Sequence, residues 1–147
     1  MQVISFNFIK VQAERKPTVD NSLNINTNIE FLNVEKEKVE ILKDSEPIKI
    51  SFKFTIIYSK KEDKKENEQA KLSFEGFMVI LANNEEIKEI LKEWKKKQIP
   101  QNIRIPLFNI ILKKCSLRAL QLEEEINIPT HMPFPQISQA NSQQQTN

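Results

Sequence analysis

From Ile48 to Tyr58 every second residue is apolar: Ile48, Ile50, Phe52, Phe54, Ile56 and Tyr58, with Lys49, Ser51, Lys53 and Thr55 between them. A period of two over such a run admits a strand and excludes a helix, whose apolar positions recur every three to four residues. It also selects the kind of sheet. One dry face and one wet face is antiparallel behaviour, because strands of a parallel sheet are covered on both sides. Something apolar must then lie on the dry face.

The rest of the chain supplies partners for that strand. Val3 to Val11 alternate, with Ile4, Phe6 and Phe8 on one side, and predict a first strand. After the turn signals at Pro17 and Asp20-Asn21-Ser22 comes a second. There Ile25, Thr27, Ile29 and Phe31 share a face opposite Asn24, Asn26, Asn28 and Glu30, and Val39 and Ile41 continue the period toward Leu42. Asp44-Ser45-Glu46-Pro47 is expected to break the chain before the third strand. Lys60 to Gln69, almost wholly charged or polar, is expected to form a long hairpin loop. Ala70 to Leu81 predict a fourth strand. Its apolar phase switches from Leu72 and Phe74 to Phe77, Val79 and Leu81 at Gly76, the only glycine. A bulge accounts for the switch and the residue type; a close backbone approach at Gly76 is the alternative.

Two helices follow. Asn83 or Asn84 can cap the first, with Glu85 and Glu86 in its first turn, Lys95 to Lys97 at its end and Pro100 as the stop. Ile87, Ile90, Leu91 and Trp94 form one apolar stripe. The second runs from about Ile103 or Pro106 to Glu123. On a wheel it has two stripes: Phe108, Ile111, Leu112, Cys115, Ala119 and Leu122, and then Ile103, Leu107, Ile110 and Leu117. A helix that is apolar on two sides needs two surfaces. The sheet is one; a second copy of the chain, meeting Ile103, Leu107, Ile110 and Leu117 in an isologous contact, is expected to be the other. Beyond Glu123 to Glu125, read as a helix end facing water, Ile126 to Ile137 holds three prolines among apolar residues, an extended arm that lies on the domain or walls a groove. Ser138 to Asn147 is Gln, Ser and Asn, expected to be a disordered tail. The expected architecture is α+β: a single domain over 1–137, a four-stranded antiparallel sheet with two helices packed on one face.

The side chains that do chemistry are scarce. The 147 residues contain one Cys, one His and one Gly. A disulfide within the chain, a zinc site of paired cysteines and a glycine-rich phosphate loop are excluded. Cys115 sits in an apolar stripe and nothing places it near His131, so neither is expected to be catalytic, and no metal or other cofactor is expected. A net charge of +2 is no nucleic-acid footprint. No signal peptide and no run of 18 apolar residues occurs, which leads to the expectation of a cytoplasmic protein with no membrane span. What the chain has in excess is apolar surface, and that points to partner binding.

One ordered set of features resembles a known family. Four strands with Gly76 in the fourth precede a helix beginning Asn102-Ile103-Arg104-Ile105-Pro106. A later Cys115 and the Pro-containing segment Phe134-Pro135-Gln136-Ile137 complete the set. This arrangement resembles the SecB family of export chaperones. The resemblance implies a homotetramer built as a dimer of dimers, with the long helix at the subunit contact. It implies ATP-independent holding of unfolded polypeptides, in export or otherwise, and no enzymatic activity. Trp94, Phe108, Met132, Phe134 and Ile137 are the expected client contacts. Lys49, Lys53 and Lys71 stand on the wet sheet face where the family presents an acidic surface to its export motor, so a chaperone for another client, such as an antitoxin, is an alternative. An adaptor for one folded partner is a second alternative. An RNA-binding module using the same three lysines is a third, without the interleaved aromatics that base stacking requires.

Overall fold

The structure, a computed structural model, describes residues 1–37 and 45–137. Four strands, β1 (Gln2–Arg15), β2 (Asn24–Lys36), β3 (Ser45–Glu62) and β4 (Lys65–Asn83), are followed by helices α1 (Asn84–Trp94) and α2 (Gln101–Glu125). The sheet is antiparallel throughout, in the order β1-β4-β3-β2. The expected continuation of the second strand through Val39 and Ile41 and the expected tail over 138–147 lie outside the described residues.

The order explains the burial. β3 and β4 are central, and their inward rows are sealed: Ile48, Ile50, Phe52, Phe54, Ile56 and Tyr58 have no exposure. They stand directly opposite Ile80, Met78, Gly76, Phe74, Leu72 and Ala70. The expected row of β2 is also in place, with Ile25, Thr27, Ile29 and Phe31 opposite Tyr58, Ile56, Phe54 and Phe52. Both helices cover this one face, and Ile87, Ile90, Ile103, Leu107 and Ile111 join the sheet residues in one core.

Several local expectations are corrected. β4 keeps one phase through Gly76 and has no bulge there; the bulge at that level lies in β1, opposite it. A Cβ at Gly76 would collide with the backbone oxygen of Asn7 and stand 2.9 Å from the Phe52 ring, so the glycine serves close approach. The extra residue in β4 is Gln69, whose buried amide holds the β1–β2 crossover through Asp20, at 2.6 Å to its carboxylate and 2.8 Å from its N–H. In β1, register shifts between Val3 and Ser5 and between Phe8 and Lys10 make Ile4 and Ile9 the extra residues. The expected Ile4, Phe6, Phe8 face thus becomes Val3, Phe6, Phe8 and Val11, opposite the inward row of β4.

The charged segment 60–69 is strand and not a loop. β3 and β4 run on as a ribbon to a two-residue turn at Asp63 and Lys64, with φ of 47° and 66°. Main-chain pairing is indifferent to side-chain polarity, and Lys61 faces Glu66 while Glu62 faces Lys65, so opposite charges support it. Pro47 also lies within β3, admitted near the strand's start.

Asn83 caps α1. Its side chain accepts from the Glu86 N–H at 2.8 Å while the Glu86 carboxylate accepts from the Asn83 N–H at 3.2 Å. The helix ends at Trp94, before the lysine cluster, and Lys97 turns the chain with φ of 59°. Pro100 is thus the N-cap of α2, and not the residue that stops α1.

Candidate functional site

The last turn of α2 holds the feature that sequence reasoning placed in water. Glu123 has no exposure. Its carboxylate accepts from the Tyr58 hydroxyl, from the His131 backbone N–H at 2.6 Å, and faces His131 Nδ1 at 2.7 Å. The other ring nitrogen, Nε2, meets Ser116 Oγ at 3.1 Å. A buried carboxylate is tolerable only with such a set of donors.

Local geometry brings His131 there. α2 ends in a Schellman turn: Asn127 takes a φ of 57°, and the Ile128 N–H reaches back to the Glu123 carbonyl at 2.9 Å. Arg15, from the edge strand, donates to the carbonyls of Ile126 and Asn127 at 3.0 and 2.7 Å, a cation on the negative end of the helix. The chain therefore reverses onto α2, Ile128 enters the core, and His131 drops beside Glu123. The signal that could have found this turn is an Asn followed by an isolated apolar residue just past the helix.

The reversed arm walls a groove of about 530 Å³. Its floor and one side are α2, through Asn109, Leu112, Lys113, Ser116, Leu117 and Leu120; Thr27 of β2 and the arm's His131 and Met132 close it. Leu112, Leu117 and Met132 are 43, 58 and 45% exposed. Two other hollows are more polar: one beside Arg15 and Gln69, and an open one between the two helices lined by Glu89, Glu93 and Asn102.

The expected site residues divide. Met132 lines the groove; Phe134 and Ile137, further along the arm, are exposed and do not line it. Phe108 is stacked on Phe31 with centroids 5.0 Å apart, and Trp94 is half-buried on α1 under Lys97. Neither lines the groove. Of the expected subunit contact, Ile103 and Leu107 belong to the core at 2 and 0% exposure and are withdrawn from it. The reason is geometric. Each step of four residues overshoots a full turn by about 40°, so the row Ile103, Leu107, Ile111, Cys115, Ala119 and Glu123 spirals around α2 as it crosses the twisted sheet. A flat wheel splits that single row in two. Ile110 is half-buried, and Leu117 is exposed and lines the groove.

Burial pushes the Cys115 thiol up to about 12, leaving it a poor nucleophile at neutral pH. Burial first, and then the Glu123 carboxylate, raise the Tyr58 phenol far above its ordinary value. Hydroxyl, imidazole and carboxylate in the order Ser116, His131, Glu123 is the order of a hydrolase relay. Here Ser116 lies mid-helix, where the backbone N–H groups are spent on the helix itself and form no oxyanion hole. The relay's evident work is to hold the arm. On the opposite sheet face, Lys53 stands between Glu30 and Glu75, and Lys49 lies 3.9 Å from Glu35 and over the Phe77 ring. That alternation offers no basic field to RNA.

No family model and no curated protein matches the chain. A solved structure of the Mycobacterium tuberculosis Rv1957 SecB-like chaperone, in complex with a ChAD peptide from the Rv1956 HigA1 antitoxin, is similar to it. The match covers 94% of this chain and 91% of that one, at 15% identity and a TM-score of 0.50. The fold is SecB-like. The SecB-like sheet and helix order expected from Gly76, Asn102 to Pro106 and Cys115 is therefore present, with four antiparallel strands and two helices. None of the described helices is long and apolar enough to cross a membrane.

Proposed function

We propose that this SecB-like chain is a non-enzymatic protein-binding chaperone that holds extended polypeptide segments in the groove between α2, Thr27 and the arm. The observation that carries the reading is an apolar groove with a fixed wall. Leu112, Leu117, Leu120 and Met132 offer side chains to a client, while the Glu123 network keeps the arm from collapsing onto them. Phe134 and Ile137, exposed further along the same arm, add apolar contacts for the client. Binding needs no nucleotide: a protein that captures unfolded chains opposes their aggregation by mass action alone. Several copies would add avidity at modest cost per site. A cytoplasmic homotetramer, a dimer of dimers meeting along α2 through Ile110, is part of the proposal; Leu117, which lines the groove, is left to the client. The neighbouring chaperone's antitoxin peptide favours a dedicated client over general export.

The test is aggregation of a reduced, unfolded client followed by light scattering without nucleotide, beside the solution mass of the chain. The expected results are suppression by less than one oligomer per client and a mass of four chains. Leu112→Asp and Met132→Asp, both at exposed positions, should abolish suppression without unfolding the protein. Equal suppression by these variants would remove the groove from the function. Binding to one folded protein and to no unfolded chain would replace the chaperone with an adaptor.

A further inference from the structure

We infer that the groove selects apolar segments that carry a carboxylate, with Lys113 as its counter-charge. The inference rests on the groove being the client site. Lys113 contributes the one permanently charged side chain of the lining, and among the described residues no carboxylate lies within 4.0 Å of it. The carboxylate behind the groove's His131 is sealed. Glu123 is fully buried and its oxygens are taken by Tyr58 and His131, so it offers nothing to a ligand's cation. Both nitrogens of His131 are engaged, by Glu123 and Ser116. Asn109 adds a neutral amide.

The surrounding field has the same sign. From Gln101 to Leu122 the sequence of α2 contains Arg104, Lys113, Lys114 and Arg118 and no acidic residue. A cation beside an apolar wall, where water is partly excluded, acts on a ligand charge more strongly than it would in bulk. The occupant that fits is an extended peptide with apolar side chains for Leu112, Leu117 and Met132 and an Asp, Glu or terminal carboxylate beside them. A peptide with Lys or Arg in that position meets like charge and no accessible partner.

Two labelled synthetic peptides test this against the full chain by fluorescence anisotropy. They share one alternating leucine–threonine core; one is flanked by aspartates, the other by lysines. At low ionic strength the acidic peptide should bind roughly three- to tenfold tighter. The difference should shrink toward parity near 1 M salt, where the Debye length is about 3 Å. Lys113→Glu should reverse the order and Lys113→Gln should level it, with circular dichroism unchanged because the side chain is exposed. Equal affinity, tighter binding of the basic peptide, or an order untouched by Lys113→Glu overturns the inference and leaves the proposed function standing. If neither peptide binds, both are overturned.

Discussion

Replacing Glu123 by Ala removes the acceptor that ties the arm to α2. The carboxylate is wholly buried and accepts from three groups: the Tyr58 hydroxyl, the His131 N–H and the His131 ring. Its loss strands donors in the core. A buried donor left without its acceptor costs about 1–3 kcal/mol, and three donors lose theirs here, so the loss should be about 3–5 kcal/mol. That is a large share of the roughly 5–15 kcal/mol that holds a domain of this size together. With a urea dependence near 2 kcal/mol per M, the unfolding midpoint should fall by about 2 M. Trp94, the only tryptophan, reports the transition by fluorescence. Glu124→Ala, one residue along and exposed, is the control and should leave the midpoint in place. His131→Ala should also destabilise, and the double variant should cost about 0.5–3 kcal/mol less than the sum, because both changes break one network. A midpoint for Glu123→Ala within measurement error of wild type, or equal losses at 123 and 124, would refute the claim that this residue locks the arm to the helix.

Other expectations follow from the same geometry. Gly76→Ala should destabilise by about 1–3 kcal/mol or more and loosen β1, seen as faster amide exchange in residues 3–13, because the added methyl has no room against Asn7 and Phe52. Tyr58 and Cys115 are protonated in the fold at pH values where the unfolded chain ionises them. Their contributions are intact below about pH 8.5 for the thiol and 10 for the phenol and are lost progressively above those values. Since Tyr58 is the only tyrosine, phenolate absorbance in an alkaline titration should appear only together with unfolding. Cys115 should resist thiol reagents at pH 8 in the folded protein and react at once in denaturant. Asp63→Asn with Lys64→Gly should raise stability by about 0.5–1 kcal/mol, since both positions already have positive φ.

The strands and the stripe of α1 were legible because periodicity is a local property. Ile48 to Tyr58 can bury one face in only one way, and Asn83 with Glu86 carries its own capping signal. The charged ribbon around Asp63 was hidden because main-chain pairing leaves no apolar trace. The phase of β4 was misleading because Phe77, Val79 and Leu81 are apolar on the open face, where Val79 nevertheless finds cover. The groove was half legible. Met132 could be named from the arm's composition. The α2 wall could not, because which of two apparent stripes is buried depends on how a spiral row meets a twisted sheet.

Taken alone, the amino acids determined an antiparallel sheet, two covering helices and an uncharged, proline-spaced arm beyond them, since each depends on neighbours a few residues apart. Tertiary structure decided the rest: that Ile103 and Leu107 belong inside, that Gly76 makes room for a crossing backbone, and that Glu123 is a buried latch. Those facts require residues far apart in the chain, such as Arg15, Tyr58 and His131, to meet at the end of one helix, and no local pattern encodes such a meeting.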